Sequence, residues 1–288
     1  MATYKIITDS GCDLPGALME QLNVKSVPLY VNFREETKPD SVDDGIKELY
    51  DGLRAGEVAT TSAVNPSRWA EAIEPCLEEG FDVLVIGFSS GLSTTYQSAC
   101  IAADELREKY PERKIRVVDS LCASLGQGLF VWYTCRKRDE GMELDELADW
   151  METELRPSLC HWFTVDDLMY LKRGGRVSAA TALLGTMLNI KPVLHVDDEG
   201  HLISVSKSRG RKASIEALAA KVGTLGAGFD NDVAFISHGD CLEDARQLEK
   251  LLKEKYGVKE VVIGYVGAVI GSHAGPGVLA LFFRGCHR

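Results

Sequence analysis

The sequence predicts an α/β fold with two α/β domains, and three observations support that fold class. In the first half, short apolar runs alternate with helical patterns, which indicates a mostly parallel sheet with helical connections. In the second half, two strand-like runs flank residues 197–200 as the arms of a hairpin do, which indicates a mixed sheet. The length of 288 residues exceeds what one hydrophobic core usually organises. We therefore expect domains at residues 1–158 and 159–288.

The N-terminal domain is predicted to repeat one unit, in which a strand leads through a short loop with hydroxyl groups into a helix. Residues 83–88 are apolar, as in a strand buried on both faces, and Pro66 suits the first turn of a helix. Strands are expected at residues 4–8, 83–88 and 114–118, and an apolar, extended stretch at 24–31. Helices are expected at about 16–22, 43–53, from 66, 93–110 and up to 138, with a polar linker at 38–44.

Four loops of this domain contain serine, threonine or aspartate, at residues 9–10, 61–62, 89–93 and 119–120. These residue types also cap helices, so one such loop alone indicates little. Parallel strands place their following loops at one edge of the sheet, where open α/β sheets bind ligands. We therefore expect the four loops to form one polar crevice. Loop 89–93 has no ionisable group and precedes a helix with free N–H groups, which suits it to holding an anion rather than to breaking bonds.

The C-terminal domain is predicted to contain the mixed sheet and a glycine-rich loop around His273. A histidine between Gly271 and Gly275 is a candidate ligand contact, because glycine allows close approach of the backbone. Strands or apolar runs are expected at residues 162–165, 190–196, 202–206, 233–237, 261–265 and 278–283, and helices at 167–176, 179–188, 212–222 and 242–256.

The net charge of −11 argues against general binding to nucleic acids. Eight basic and only three acidic residues lie between residues 172 and 212, so a local charge of +5 stands in an otherwise acidic chain. This basic segment is either a solvated face or a docking surface for an anionic partner.

The sequence also indicates which cellular compartment and which cofactors to expect. The sequence has no apolar run of about 18 residues and no charged leader before an apolar segment, so we expect a cytoplasmic protein without a membrane span. The eight cysteines are scattered without a C-x-x-C pair, and no carboxylate cluster or dinucleotide motif is present. We expect neither a metal site nor a cofactor.

Residues 87–91 match G-x-S-x-G between a strand and a helix, which makes a serine hydrolase the main alternative. Ser89 would be the nucleophile, with His273 or His238 as the base. Against this alternative, the helix is expected to begin near Ser93 rather than directly after Ser89, and no oxyanion loop of the His-Gly-Gly type precedes it. A regulatory binding module without either activity is a third class.

Seven motifs in order along the chain resemble those of the DegV family of fatty-acid-binding proteins. They lie at residues 7–10, 61–62, 89–93, 119–120, 174–178, 188–192 and 270–277. Thr94 and Cys12 depart from the family pattern, which usually has glycine and serine there, as do residues 63–65, Ser272 and Ala274.

The resemblance implies two α/β domains with one long-chain fatty acid in a tunnel between them. It implies that hydroxyl groups at Thr61 and Ser93 hold the carboxylate, with Ser62 beside Thr61 and with His273 nearby. It also implies a partner, a dihydroxyacetone-kinase-like fatty acid kinase that phosphorylates the presented carboxyl group for phospholipid synthesis. Arg176 and Arg209 would then be the docking residues. A carrier with no catalytic residue is expected.

The energetics of such a ligand agree with neutral head-group contacts. Burial contributes about 0.8 kcal/mol per methylene, so about ten methylenes contribute roughly 8 kcal/mol before losses. The head group then needs only orientation, and a carboxylate that accepts several hydrogen bonds stays ionised without a cationic partner.

Overall fold

The first half of the chain builds a four-stranded parallel sheet. The computed structural model describes residues 4–177, 189–229 and 232–288. The parallel sheet has the order β2-β1-β6-β7 and consists of β1 (Tyr4–Asp9), β2 (Val24–Val27), β6 (Asp82–Gly87) and β7 (Ile115–Asp119). Val83, Leu84, Val85 and Ile86 are all fully buried. The predicted parallel sheet, with its central strand buried on both faces, is therefore confirmed.

Six helices of this half connect and cover the strands. They are α1 (Gly16–Leu22), α2 (Ile46–Arg54), α3 (Pro66–Glu78), α4 (Thr95–Lys109), α5 (Leu125–Asp139) and α6 (Leu144–Trp150). The start of α3 follows the prediction, because Asn65 accepts the N–H of Arg68 as the N-cap and Pro66 occupies the first turn. Trp69 and Ile73 of α3 and Ala99 of α4 pack on one face of the parallel sheet.

A second, three-stranded antiparallel sheet was not predicted. It has the order β4-β3-β5 and consists of β3 (Tyr30–Phe33), β4 (Glu36–Pro39) and β5 (Thr60–Ser62). Residues 24–31 are extended as expected but form parts of two strands, and the linker expected at 38–44 begins only after Pro39. Pro28 has no N–H group to continue the pairing of β2, and Arg34 and Glu35 adopt positive φ in a two-residue hairpin turn. Residues 61–62 therefore belong to this sheet and not to the edge of the parallel one.

The second half of the chain builds a six-stranded mixed sheet of order β10-β9-β8-β13-β11-β12. Only β11 and β12 pair in parallel, and β9 and β10 form the predicted hairpin. The strands are β8 (Leu159–Thr164), β9 (Ile190–Val196), β10 (Leu202–Arg209), β11 (Val233–His238), β12 (Glu260–Tyr265) and β13 (Leu279–Arg284). The predicted mixed sheet is confirmed.

The described residues include five helices that accompany the mixed sheet. They are α7 (Arg156–Ser158), α8 (Met169–Arg173), α9 (Arg211–Leu225), α10 (Leu242–Tyr256) and α11 (Ala268–Ala274). Helices α9 and α10 cover the outer face of the sheet. His273 lies in the last turn of α11, so the prediction of a loop is wrong for that residue. The helix predicted at 179–188 lies outside the described residues, together with Ser178.

Helix α5 joins the two halves of the molecule. It packs against β8, β11 and β13 on one side and against the 3-10 turn of residues 10–12 on the other. The largest core cluster accordingly contains Ile86 of the parallel sheet, Leu129 of α5 and Phe235 of the mixed sheet. We propose domains at residues 1–158 and 159–288, because the parallel and three-stranded sheets use only the first segment and the mixed sheet uses only the second.

Candidate ligand-binding site

A cavity of about 520 Å³ lies between the loops of the first half and the inner face of the mixed sheet. This volume is within the usual range for small-molecule sites. Most of the lining is apolar, comprising Leu29, Ala63, Phe88, Leu92, Ala123, Phe163, Leu171, Val196, Leu202, Val266, Val269, Ile270, Ala274, Val278, Ala280 and Phe282. The polar lining residues are Thr61, Ser90, Ser93, Thr94, Ser124, His161, Arg176, Ser237 and His273.

Strand alternation explains how the mixed sheet forms one wall of the cavity. His161 and Phe163 of β8 line it, whereas Trp162 between them packs in the core under α9 and α10. The same alternation on β13 turns Ala280 and Phe282 toward the cavity. One face of the sheet is thus a protein core and the other is a ligand wall.

Four side chains from four different segments form what we call the outer polar group: Thr61, Ser93, Arg176 and His273. Thr61 Oγ1 lies 2.7 Å from His273 Nε2, and Arg176 Nε donates to the carbonyl of Leu92, the residue before Ser93. All four line the cavity and are only half-buried. The structure therefore brings together Thr61, Ser93, His273 and Arg176, at the side of the cavity that reaches solvent.

His273 is a neutral partner in this group. Burial, reinforced by the positive charge of Arg176, lowers the pKa of its imidazole to about 4. A side chain at Gly174 would overlap the His273 ring, so glycine is required for the ring to lie there. A neutral ring that donates Nε2–H to Thr61 Oγ1 leaves the Thr61 hydroxyl hydrogen free to donate to an anion.

Ser93 is positioned by the turn that precedes α4. Its N–H donates to the carbonyl of Ser89, and its Oγ accepts the N–H of Thr95 at 3.2 Å and lies 2.9 Å from Thr95 Oγ1. Helix α4 begins at Thr95, two residues later than expected, so Ser93 lies just before the helix start. The hydroxyl is therefore held at the N-terminal end of α4, which favours negative charge.

Two of the expected site residues lie elsewhere. Ser62 is exposed and is not among the residues that line the cavity. Arg209 is exposed on the edge strand β10 and does not line the cavity either. Neither joins the outer polar group.

The expectation that four loops form one crevice is wrong for two of them. Asp9 lies behind the cavity wall, where its carboxylate accepts the N–H groups of Gly11 and Phe88. Asp119 likewise accepts the N–H groups of Ser90 and Leu121. These aspartates shape the loops and do not line the cavity.

Ser89 is not arranged as a nucleophile. It is fully buried, its hydroxyl donates to the Gly200 carbonyl at 2.9 Å, and its oxygen accepts the N–H of Gly91. The two candidate bases are engaged elsewhere, because His273 contacts Thr61 and the Nδ1 atom of His238 accepts the N–H of Cys241. The serine hydrolase alternative is therefore not supported.

A second set of polar residues, the inner polar group, was missed by sequence reasoning. It consists of Ser124 at the start of α5, His161 on β8 and Ser237 on β11, all of which are buried. Ser124 Oγ lies 2.9 Å from Ser237 Oγ and also hydrogen-bonds Asp13. Each is a single polar residue in an apolar or loop segment, so only the fold brings them together.

Three buried carboxyl groups, Asp9, Asp13 and Asp40, form an acid cluster behind the cavity. Burial raises the pKa of Asp9 to about 7 and that of Asp40 to about 6. Burial and the neighbouring Asp40 raise the pKa of Asp13 well above its usual value. The Asp40 carboxylate accepts the hydroxyl of Ser10 and the N–H of Val269, so the cluster ties the first half to α11.

The described ranges 4–177, 189–229 and 232–288 contain no group of three or more histidine, cysteine, aspartate or glutamate side chains that could hold a metal ion. No helix in this part of the chain is both long and apolar enough to span a bilayer.

The fold and the site define an α/β binding protein whose apolar cavity ends at hydroxyl, imidazole and guanidinium groups. A family model described as "Uncharacterised protein, DegV family" matches residues 3–285. The chain therefore belongs to the DegV family, and the resemblance of its motifs is confirmed.

Similar proteins match over nearly the whole chain. A DegV domain-containing protein of Clostridium perfringens is 42% identical over 287 residues, covering 99% of this chain and 98% of that protein. A solved DegV family protein of Thermus thermophilus, described by its fatty acid binding, is 34% identical with a TM-score of 0.88, covering 98% and 99% of the two chains. A stearic-acid-binding protein of Eubacterium ventriosum is 26% identical with a TM-score of 0.88, covering 98% of each chain. The prediction of a binding protein rather than an enzyme is confirmed at the level of the family.

Proposed function

We propose that this protein is a carrier that binds a long-chain fatty acid, with its carboxylate at the outer polar group and its acyl chain along the apolar walls. The observation that carries the proposal is one continuous cavity that joins Thr61, Ser93 and His273 to sixteen apolar residues. Fatty acid binding by the Thermus thermophilus and Eubacterium ventriosum relatives supports it.

The apolar walls of the cavity match the acyl chain of such a ligand, and the outer polar group matches its carboxylate. Removal of the chain from water supplies the affinity, at about 0.8 kcal/mol per methylene. Hydroxyl donors at Thr61 and Ser93 orient the carboxylate, and the N-terminal end of α4 adds a favourable field. His273 stays neutral in the free protein because its pKa lies at about 4. It therefore serves as a hydrogen-bond partner of Thr61 and not as a counter-ion.

Delipidated protein titrated with stearic acid tests this proposal. We expect saturable binding of one acid per chain by calorimetry, and native mass spectrometry should show one added acid. Methyl stearate, which has the same chain and no charge, should bind more weakly. Absence of stearate binding to the refolded, monodisperse protein would refute the proposal.

We further propose that the bound carboxyl group is presented to a dihydroxyacetone-kinase-like fatty acid kinase, which phosphorylates it for phospholipid synthesis. The half-buried outer polar group is the accessible side of the cavity, and Arg176 lies within it. Arg209 is exposed on edge strand β10, where a partner can reach it. These placements support Arg176 as a residue of the opening and Arg209 as a surface contact.

Charge reversal at Arg209 tests the docking role with the purified kinase. Arg209→Glu should lower the rate of acyl phosphate formation several-fold while the Kd for stearic acid stays unchanged. Lys250→Glu is the matched control, because Lys250 is an exposed lysine on α10. Equal rates for the two variants would exclude Arg209 from the interface.

A further inference from the structure

Two carboxyl groups of the acid cluster, Asp13 and Asp40, face one small space beside Gly267, directly before α11. A Cβ atom on Gly267 would overlap Asp13 Oδ1 and would lie 3.4 Å from Asp40 Oδ1. The two side chains, which we call the carboxyl pair, are 2% and 7% exposed. Two acidic groups are thus held close together in the interior of the protein.

The two members of the carboxyl pair differ in their hydrogen bonds. Asp40 Oδ1 accepts the N–H of Val269 at 2.9 Å, and Asp40 Oδ2 accepts the hydroxyl of Ser10 at 2.8 Å. Asp13 Oδ2 accepts the hydroxyl of Ser124, but Asp13 Oδ1 has no hydrogen-bond partner among the residues that the structure describes. A buried carboxylate oxygen without a donor disfavours the ionised form, so a proton on Asp13 relieves both this cost and the repulsion from Asp40.

The direction of both pKa shifts agrees with this geometry. Burial, followed by the neighbouring charge of Asp40, raises the pKa of Asp13 well above its usual value. Burial raises the pKa of Asp40 to about 6, although its hydrogen bonds act in the opposite direction. Acids this close titrate as a unit, so the carboxyl pair as a whole resists double ionisation.

The other titratable groups around the carboxyl pair supply no positive charge. Asp9 at the end of β1 adds negative charge, and burial raises its own pKa to about 7. Burial also raises the pKa of the Cys12 thiol and of the Tyr50 phenol on α2 well above their usual values, so both stay neutral. The titratable residue of α11 is His273, which is neutral because its pKa lies at about 4. The carboxyl pair therefore responds to any further negative charge without a cation to compensate it.

Each carboxyl group is one residue away from the cavity. Ser124, which donates to Asp13, and Val269, which donates to Asp40, both line the cavity. Val269 lies in the first turn of α11, and His273 of the outer polar group lies in the last turn of the same helix. With a rise of about 1.5 Å per residue and the length of the side chains added, the outer polar group is on the order of 10 Å from the carboxyl pair.

We propose that binding of a fatty acid is linked to the uptake of a proton by the Asp13–Asp40 pair, so that the protein holds its ligand more tightly at lower pH. The proposal rests on the proposed function and adds a regulation to it. The decisive argument is like charge, because the ligand carboxylate brings a negative charge into the interior that already holds the carboxyl pair. At roughly 10 Å and an effective dielectric constant of about 20, this repulsion corresponds to an affinity change of about three- to tenfold after screening.

The sign of the pH dependence follows from linkage. A bound anion raises the pKa of the carboxyl pair, so the protonated form of the protein binds the acid more tightly than the ionised form. Affinity should be full where the free protein already holds the proton. It should fall as the pH rises from about 6, where Asp40 begins to ionise in the free protein.

Calorimetry in buffers of different ionisation enthalpy tests the proposal, because it measures the protons taken up for each ligand bound. Stearic acid is titrated at several values between about pH 6.5 and about pH 8.5, where a carboxyl group in water is already ionised. We expect proton uptake near pH 7 and binding about three- to tenfold weaker at the upper end of the range. Methyl stearate, which has no charge, should show neither effect. No uptake with stearic acid, or equal uptake with the ester, would overturn the proposal.

Substitutions locate the proton. Asp13→Asn and Asp40→Asn should each lower the uptake and flatten the pH profile, and the double variant should abolish both effects if it folds. Asp104→Asn is the matched control, because Asp104 is exposed on α4, and it should behave as wild type. Uptake that survives unchanged in both single variants, or that is lost only in Asp9→Asn, would overturn the assignment to the carboxyl pair. Failure of stearic acid to bind at any pH would instead refute the proposed function.

Discussion

The sharpest test of the carboxylate site is a double-mutant cycle on Thr61 and Ser93. Thr61→Val keeps the shape of the side chain and removes its hydroxyl, and Ser93→Ala does the same for the serine. A hydrogen bond to a charged group contributes about 1.5–3 kcal/mol, so each variant should weaken stearate binding about 10- to 150-fold. Thr61→Val should lie at the upper end, because His273 Nε2 also loses the oxygen that lies 2.7 Å from it.

Calorimetric titration with stearic acid and with methyl stearate distinguishes loss of a hydrogen bond to a charged carboxylate from a change in the shape of the site. For the uncharged ester, each loss should fall to the 0.5–1.5 kcal/mol of an ordinary hydrogen bond. The two substitutions should not be additive for the acid, because both hydroxyls bind one carboxylate. Ser62→Ala is the control, since Ser62 is exposed beside Thr61 and should have no effect. Binding of stearate within twofold of wild type in both variants would remove these hydroxyls from the site.

Three further predictions concern the framework around the cavity. Gly126→Ala should lower the free energy of unfolding by about 1–3 kcal/mol and favour shorter acids, because the new methyl group displaces the His161 ring and outweighs the helical gain of about 1 kcal/mol. Chemical denaturation and a chain-length series measure both effects. Asp13→Asn should stabilise the protein by about 1–3 kcal/mol near pH 8 and by less near pH 5. Because the pKa of Asp13 is raised in the folded protein, the stability contributed by the protonated carboxyl group is full below the unfolded pKa of 3.8 and is lost as the pH rises through the folded pKa. An equal gain in stability from Asp13→Asn at pH 5 and at pH 8 would contradict this raised pKa. Tyr50→Phe should cost about 1 kcal/mol in urea unfolding, because the buried Tyr50 hydroxyl donates to the Val266 carbonyl at 2.8 Å; an unchanged midpoint would show that this hydrogen bond contributes nothing.

Regular hydrophobic patterns made most of the fold predictable. Residues 83–88 are apolar in sequence, and residues 83–86 are fully buried within β6. The hairpin across 197–200 and helix α10 also occur where the pattern indicates. The three-stranded sheet escaped prediction for a physical reason. All four residues of Glu36–Pro39 are exposed, so β4 has no apolar alternation to reveal it.

The sequence predicted that Thr61, Ser93, Arg176 and His273 are functional residues, but it did not predict which sheets carry Thr61 and Ser93. Thr61 and Ser93 both follow strand-like sequence, yet Thr61 belongs to an antiparallel sheet and Ser93 to a loop of the parallel sheet. The inner polar group gave almost no local signal. His161 is a single polar residue within an apolar run, and Ser237 lies at the end of one, and such residues are more often satisfied core residues than ligand contacts. Only the fold, which brings β8, β11 and the start of α5 together, places them at the cavity.

The turn of the β9–β10 hairpin is fastened to the loop before α4. The Gly200 carbonyl accepts the Ser89 hydroxyl, and Gly91 packs directly on the backbone of that turn. Separating the hairpin from the loop would break a hydrogen bond that is buried away from water, so we expect these two segments of the cavity wall to move together.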